Sequence, residues 1–193
     1  MEDVAGARRA LRAAGRVARG RIRGSARADA TAAIVDAVLD LPEVIDARHV
    51  LVTAAVGDEL DLAALRGALA ARGTTVSLPV VEGQDLVAVA WHDAIELRPG
   101  WQGVLEPVGP PTPMPPELVV VPALALDRRG GRLGYGGGHF DRYLTGPAAG
   151  ATTVGAVFHA QLVDEVPVLP HDVALDLVVT EHGVWRAGHP VEG

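Results

Sequence analysis

The chain has 193 residues, of which 49% are hydrophobic and 21% charged, the composition and length of one globular domain with a substantial core. It has no cysteine and no lysine, so all 17 cations are arginines, and the formal net charge is −7. These absences exclude disulfides, thiolate nucleophiles, cysteine-ligated zinc, side-chain Schiff bases and a Walker-type lysine loop; the acidic balance argues against a nucleic-acid binder.

Serine occurs only at Ser25 and Ser77, neither in a nucleophile elbow, which removes acyl-enzyme chemistry of that kind. No apolar run approaches the roughly 18 residues that span a bilayer, and the N-terminus has no secretory apolar stretch. The expectation is a cytoplasmic monomer without membrane or nucleic-acid partners.

In chain order, Asp3 to Arg23 is an Ala/Arg-rich helix interrupted by Gly6, Gly15 and Gly20. Its arginines read mainly as a solvated face, with one or two turned inward towards an anion. A second helix runs from near Asp29 to Leu39 and is stopped by Pro42. His49 to Val56 is a strand, and Asp58 to Ala71 a helix with Leu60, Leu62, Leu65 and Leu69, ended by Gly73. Thr74–Val81 and Leu86–Trp91 are strands around a turn at Glu82-Gly83. The Pro/Gly-rich segment from Arg98 to Pro116 is a loop within the domain. Leu118 to Val121 has the continuous apolarity of a central parallel strand. A helix follows around Phe140 to Leu144, then buried strands at Thr152–Phe158 and Ala174–Thr180. The alternation predicts an α/β protein with a single Rossmann-like open sheet, mostly parallel, helices on both faces and an Arg-rich N-terminal helix.

Between the Leu118 strand and the next helix stands Gly130-Gly131-Arg132-Leu133-Gly134-Tyr135-Gly136-Gly137-Gly138-His139-Phe140-Asp141-Arg142. Successive glycines let backbone N–H groups line an anion-binding concavity before a helix. Arg132 and Arg142 can add charge-assisted hydrogen bonds to phosphate. Asp141 would repel phosphates unless it holds a divalent cation. A plain connector is the alternative, but four glycines between Gly134 and Gly138 cost much conformational entropy for such a role. His139 stands where a Gly-x-Gly-x-x-Gly fingerprint needs glycine, so a dinucleotide site is unsupported.

Val121-Pro122-Ala123-Leu124-Ala125-Leu126-Asp127 followed by the run from Arg132 to Leu144 resembles the 5-formyltetrahydrofolate cyclo-ligase family, whose pattern is close to V-P-G-L-A-F-D, a turn, and R-L-G-Y-G-G-G-Y-Y-D-R-x-L. Gly155 to Val163, Pro167, His171-Asp172, Asp176 and Val178 to Glu181 agree with it. The block Gly57-Asp58-Glu59-Leu60-Asp61 matches the family's Gly-Glu-x-Asp. The resemblance implies one cyclo-ligase domain that uses ATP and Mg²⁺ to close the ring of a reduced formyl folate.

It further implies that backbone from Arg132 through Leu133, Gly134, Tyr135, Gly136, Gly137, Gly138, His139 and Phe140 cradles the ATP phosphates. Arg8 and Arg12 occupy the Lys-x-x-x-Arg spacing that the family directs at ATP, and residues four apart share a helix face. Glu59 matches the acid that recognises the pterin, with His139 and Phe140 also on the substrate. Asp141 and Asp172 match magnesium-associated acids, and Arg132 with Asp141 is the implied catalytic pair. On spacing alone Glu59 is an acid favoured by a helix N-terminus, and Asp172 an ordinary loop acid.

Three positions depart from the pattern: Arg8 replaces lysine, His139 and Phe140 replace two tyrosines, and Ala123 replaces glycine. Two other readings stand beside the cyclo-ligase. One is a diverged paralogue that binds nucleotide as a regulatory module. The other is a sugar-phosphate isomerase or acyl transferase with Glu59 or Asp61 as base.

Overall fold

A strand that is apolar on every side chain needs cover on both of its faces, and Leu118–Val121 is such a strand. The computed structural model describes residues 2–191. In chain order the elements are α1 (Glu2–Arg21), α2 (Gly24–Leu39), α3 (Pro42–Asp46), β1 (His49–Leu51), α4 (Ala63–Ala71), β2 (Thr75–Glu82) and β3 (Asp85–Ala90). Then come β4 (Leu97–Pro99), β5 (Leu105–Pro107), β6 (Leu118–Val121), β7 (Ala125–Asp127), β8 (Arg132–Leu133) and α5 (His139–Thr145). The chain finishes with β9 (Thr152–Ala156), β10 (Leu162–Val163), β11 (Leu177–Thr180), β12 (Gly183–Arg186) and β13 (His189–Pro190).

The result is a mixed α/β fold on an eight-stranded, mostly parallel sheet in the order β13-β12-β11-β9-β6-β1-β2-β3. Strands β2, β1, β6, β9 and β11 run parallel to one another. The outer β3, β12 and β13 are added antiparallel. Side chains alternate across the sheet with period 2. Val50, Val52, Leu118, Val120, Val154, Leu177 and Val179 pack against Ile34, Val38, Val44, Leu65 and Leu69 of α2, α3 and α4. Leu51, Val119, Val121 and Val178 face the other way, with Tyr143 and Leu144 of α5 and Leu86 of β3. No helix among the described residues is long and apolar enough to cross a membrane.

Several elements differ from the sequence expectation for identifiable reasons. The strand expected over His49–Val56 stops at Leu51, although the Val52 N–H still donates to the Ser77 carbonyl at 2.9 Å. The helix expected from Asp58 begins only at Ala63. The Asp58 and Glu59 carbonyls, which a helix would offer to Leu62 and Ala63, accept instead from Arg27 Nη2, each at 2.6 Å. The Ala63 N–H turns to the Asp61 carboxylate at 2.9 Å. Pro42 does not merely end α2; it opens the short α3, where its missing N–H costs nothing. The segment from Arg98 to Pro116 contains part of the β4–β5 hairpin, and Thr112 binds the Ala88 carbonyl along the edge of β3.

Helix α1 explains its own glycines. Arg8, Gly15 and Arg19 are buried while Arg9, Arg16 and Arg21 are exposed, so one helix face docks and the other is solvated. At Gly15 that face lies on the backbone of Leu124, so close that a Cβ would collide with the Leu124 carbonyl oxygen. Because the obstacle is backbone, it cannot rotate away. Gly15→Ala is therefore expected to destabilise by about 1–3 kcal/mol, and a domain of this size then melts several degrees lower, at about 2–4 °C per kcal/mol. Gly6→Ala meets only the far end of Arg9 at 3.9 Å and should leave stability unchanged or raise it by up to about 1 kcal/mol. Thermal unfolding of the two variants checks this; equal effects would contradict the docking role of Gly15.

Candidate active site

Strand β1 is followed in space by β2 on one side and by β6 on the other, so the order of the parallel strands reverses between β1 and β6. Loops leaving two such strands at their carboxyl ends must part, and the crevice between them is where open α/β sheets hold ligands. A cleft lies there. Thr53 and Ala54 after β1, Pro122 after β6, and the loop Gly136–Phe140 line it, with Pro79, Val81 and Leu86 from the β2–β3 hairpin. Glu59, Arg132 and Tyr135 supply its polar wall.

The glycine loop is built from a buried turn. Asp127 accepts N–H bonds from Arg129 at 2.9 Å and Gly131 at 3.0 Å through one oxygen, and from Val166 at 2.9 Å through the other. This reverses the chain from β7 into β8, which pair antiparallel. Arg132 and Leu133 thus belong to a short strand, and the Leu133 carbonyl is used by the Leu124 N–H at 2.7 Å. The free loop begins at Gly134. Gly138 takes a left-handed conformation, φ 68°, at the entry to α5, a turn that glycine makes without steric cost. Arg142 does not point its guanidinium at the loop's interior; it donates to the carbonyls of Gln84 and Gly137, stapling the loop to the β2–β3 turn.

Arg132 is buried and donates through Nη2 to Asp141 Oδ1 at 2.8 Å. The same oxygen accepts the Val173 N–H at 3.2 Å. Arg132 Nε is buried without a protein partner. Asp172 lies elsewhere: it is ion-paired with Arg8 and also accepts the Leu169 N–H at 2.7 Å. Burial alone would raise the Asp172 carboxyl, but the Arg8 and Leu169 hydrogen bonds and the Arg8 charge more than offset it and hold the group below its ordinary value. Arg8 is thereby committed to Asp172 and the Pro167 carbonyl. Arg12 donates to the Gly134 carbonyl at 2.9 Å, at the start of the loop. Three arginines of α1 turn inward, more than the one or two expected, and their partners are protein oxygens.

Glu59 lies ahead of α4 and not within it, so the helix-dipole explanation of that acid fails. Its carboxylate accepts the Val56 N–H at 3.0 Å and the Tyr135 hydroxyl, with Arg19 Nη1 at 3.7 Å. Burial pushes the Glu59 carboxyl above its ordinary value, and the Val56 N–H and the Arg19 charge offset only part of the rise. Asp61, the other acid considered as a base, is turned to the start of α4, where it accepts the Ala63 N–H. Above the cleft stands the β4–β5 hairpin. Its Glu106 accepts the Trp101 N–H at 3.1 Å and the Val81 N–H at 3.3 Å, fixing the hairpin to β2. Trp101 then meets the His139 ring edge-on, with centroids 4.9 Å apart at 74°.

The structure gathers Glu59, Arg132, Tyr135, Gly136, Gly137, Gly138, His139 and Phe140 around one cleft. It places Arg12 and Asp141 at the two ends of the loop, as its supports, and pairs Arg8 with Asp172 away from it. Sequence reasoning missed Arg19, Arg27, Trp101 and Glu106. Arg19 was detectable in principle, since positions 8, 12 and 19 repeat on one helical face. Arg27 and Glu106 carry no local signal.

The sequence profile of the 5-formyltetrahydrofolate cyclo-ligase family matches residues 4–181. The 5-formyltetrahydrofolate cyclo-ligase of Mycolicibacterium smegmatis is 37% identical over 150 residues, covering 70% of this chain and 75% of its own. That of Escherichia coli is 32% identical over 157 residues, covering 77% and 86%. The structure of 5,10-methenyltetrahydrofolate synthetase from Aquifex aeolicus superposes with a TM-score of 0.82 at 27% identity, over 96% of both chains. The Mycoplasma pneumoniae synthetase, at 17% identity and a TM-score of 0.69 over 90% of this chain and 98% of its own, shares the fold. A match along nearly the whole length, with relatives above 30% identity, makes this chain a member of the 5-formyltetrahydrofolate cyclo-ligase family of enzymes.

Proposed function

We propose that the protein, acting as one cyclo-ligase domain, converts 5-formyltetrahydrofolate to 5,10-methenyltetrahydrofolate with ATP and Mg²⁺, releasing ADP and phosphate. The observation that carries this reading is the meeting of Glu59 and the glycine loop on one cleft, with Tyr135 of the loop touching the Glu59 carboxylate. The reading treats the sheet as Rossmann-like, with ligands at its point of strand reversal.

In this reaction the formyl oxygen attacks the γ-phosphorus and the bond to ADP breaks. N10 then attacks the activated formyl carbon and loses its proton, and phosphate departs with the former formyl oxygen. Such chemistry asks the protein for positioning and charge neutralisation, not for a nucleophile, which suits a chain without lysine or cysteine. The amides of Gly134–Phe140 hold phosphate oxygens, and Arg132 supplies a fixed positive charge beside them. The Glu59 carboxylate accepts two N–H donors from the pterin edge, having one protein donor on each oxygen and lone pairs left over. Phe140, Val81 and Pro122 give the ring an apolar bed.

Among the described residues no three His, Asp or Glu side chains gather into a metal-sized group. Mg²⁺ does not require such a group, since it binds through one or two carboxylates with water and substrate phosphates completing its shell. Asp141 fits the role, because Arg132 and Val173 both engage Oδ1 and leave Oδ2 to a cation. Asp172 fits less directly, since both its oxygens accept from Arg8. Bound Mg²⁺ would neutralise charge on the transferring phosphoryl group.

Incubation with 5-formyltetrahydrofolate and ATP should produce the methenyl chromophore, and chelation of magnesium should abolish it. ATP binding by folded protein without any product would favour the nucleotide-binding paralogue, for which the His139-Phe140 pair is the specific support. Asp141→Asn keeps an acceptor for Arg132 yet removes the charge. It is expected to lower ATP-dependent turnover by about 100-fold, the scale of losing one charge-stabilising group, with folate binding little changed; equal losses in both would count against the assignment.

Glu59 must be ionised to accept donors at both oxygens. Since its carboxyl is raised by burial, folate affinity should fall on acidification at a pH above the ordinary carboxylate range. Glu59→Gln should raise the folate KM by roughly tenfold or more and flatten that acidic limb, as read from kcat/KM against pH. A limb that survives the substitution belongs to another group.

A further inference from the structure

The machinery assigned above leaves unexplained a buried arginine on α1 that touches the site's acid and its loop together. Arg19, 7% exposed, places Nε and Nη2 on Asp58 Oδ1 at 2.9 and 2.6 Å. That leaves Nη1, which donates to the Tyr135 hydroxyl oxygen at 3.0 Å and stands 3.7 Å from Glu59 Oε1. Arginine has donors only. The Tyr135 oxygen must therefore accept from Arg19, and its own proton is directed to Glu59 Oε1. The polarity of the relay is fixed: guanidinium to hydroxyl to carboxylate, with the carboxylate oxygen as acceptor. The Glu59 backbone is held separately, by Arg27, whose guanidinium lies 4.7 Å from the centre of the Phe158 ring.

Tyr135 stands between Gly134 and Gly136, inside the loop assigned to the nucleotide, while Glu59 is assigned to the folate. The two meet directly, and Arg19 braces that contact from α1 by standing against the side-chain oxygen of each. We propose that Arg19 is a positioning residue that, through the Tyr135 hydroxyl, couples the glycine loop to the Glu59 carboxylate, so that ATP on the loop strengthens the binding of reduced folate. This rests on the cyclo-ligase reading and adds to it a coupling between its two substrates. A lysine in place of Arg19 could not hold Asp58 with two donors and still present a third to Tyr135, because an ammonium lacks the planar fork.

The test is calorimetric binding of 5-formyltetrahydrofolate with and without a saturating non-hydrolysable ATP analogue and magnesium. Wild-type protein should bind the folate about tenfold more tightly when the analogue is present, a coupling of about 1.4 kcal/mol. By linkage, the folate should tighten the analogue by the same factor. Tyr135→Phe keeps the ring and removes only the hydroxyl; the coupling factor, the ratio of folate affinities with and without the analogue, should fall to about 1 whatever the change in either ligand's own affinity. Arg19→Lys, the conservative variant, should lose most of the coupling although it retains the charge.

A second readout is the pH dependence of folate affinity. Glu59 is faced by Arg19 from α1, Asp58 from its own loop and Tyr135 from the glycine loop, and it shares the cleft with Arg132, His139 and Glu106. Loss of the hydroxyl donor in Tyr135→Phe should move the acidic limb to higher pH, which a merely structural tyrosine would not do. Coupling and limb both unchanged in Tyr135→Phe overturn the proposal alone, because wild-type binding of both ligands still upholds the function. Wild-type protein that binds neither ligand overturns both.

Discussion

Helix α1 approaches the backbone of Leu124 at Gly15 more closely than any side chain allows, and each arginine that reaches the site from that helix depends on the approach. Leu124 precedes β7, whose pairing with β8 delivers the glycine loop. The helix and the loop are thus registered against one short stretch of backbone. From there Arg12 meets the Gly134 carbonyl, Arg8 meets Asp172, and Arg19 meets Asp58 and Tyr135. A Cβ at Gly15 would lift the whole arginine face, not one contact.

The absence of lysine gives this architecture a particular character. Arg8, Arg19, Arg27 and Arg132 are rigid forks that each satisfy two or more oxygens at once, so they align chain segments as well as balancing charge. Buried ion pairs contribute little net stability, since desolvation offsets their attraction, but they are costly to break on one side only. Arg132–Asp141 therefore serves best as a fixed strut across the two ends of the loop, and Arg8–Asp172 as one that ties α1 to the segment before β11. The loop itself, short of regular hydrogen bonds, can then remain open to a ligand without losing its shape.

The wall opposite the loop has a different origin. Glu106 accepts two backbone N–H bonds and so holds the β4–β5 hairpin over the cleft, where Trp101 packs edge-on against His139. The departure from the family's tyrosine at position 139 is absorbed by an aromatic contact, and the change places a titratable ring in the wall. Tyr135, the tyrosine that remains, carries the hydroxyl that meets Glu59.

Much of the frame was readable from composition and pattern. The apolar run at Leu118–Val121 marked the centre of the sheet, and the glycines from Gly134 to Gly138 marked the loop, because burial and backbone freedom are properties of a residue and its near neighbours. The absences of cysteine, lysine and suitably placed serine narrowed the chemistry by themselves. Pairing was not readable. Nothing local tells which oxygens the inward Arg19 would meet, or that Arg27 would take the Asp58 and Glu59 carbonyls and delay α4 to Ala63. Those outcomes join residues 31 to 116 positions apart, and their energies exist only once α1 and α2 are docked. The sequence determined the central strands, the main helices and which chemistries are closed to the chain; the tertiary structure decided which charges meet, because an ion pair's geometry belongs to the space between elements and not to either one.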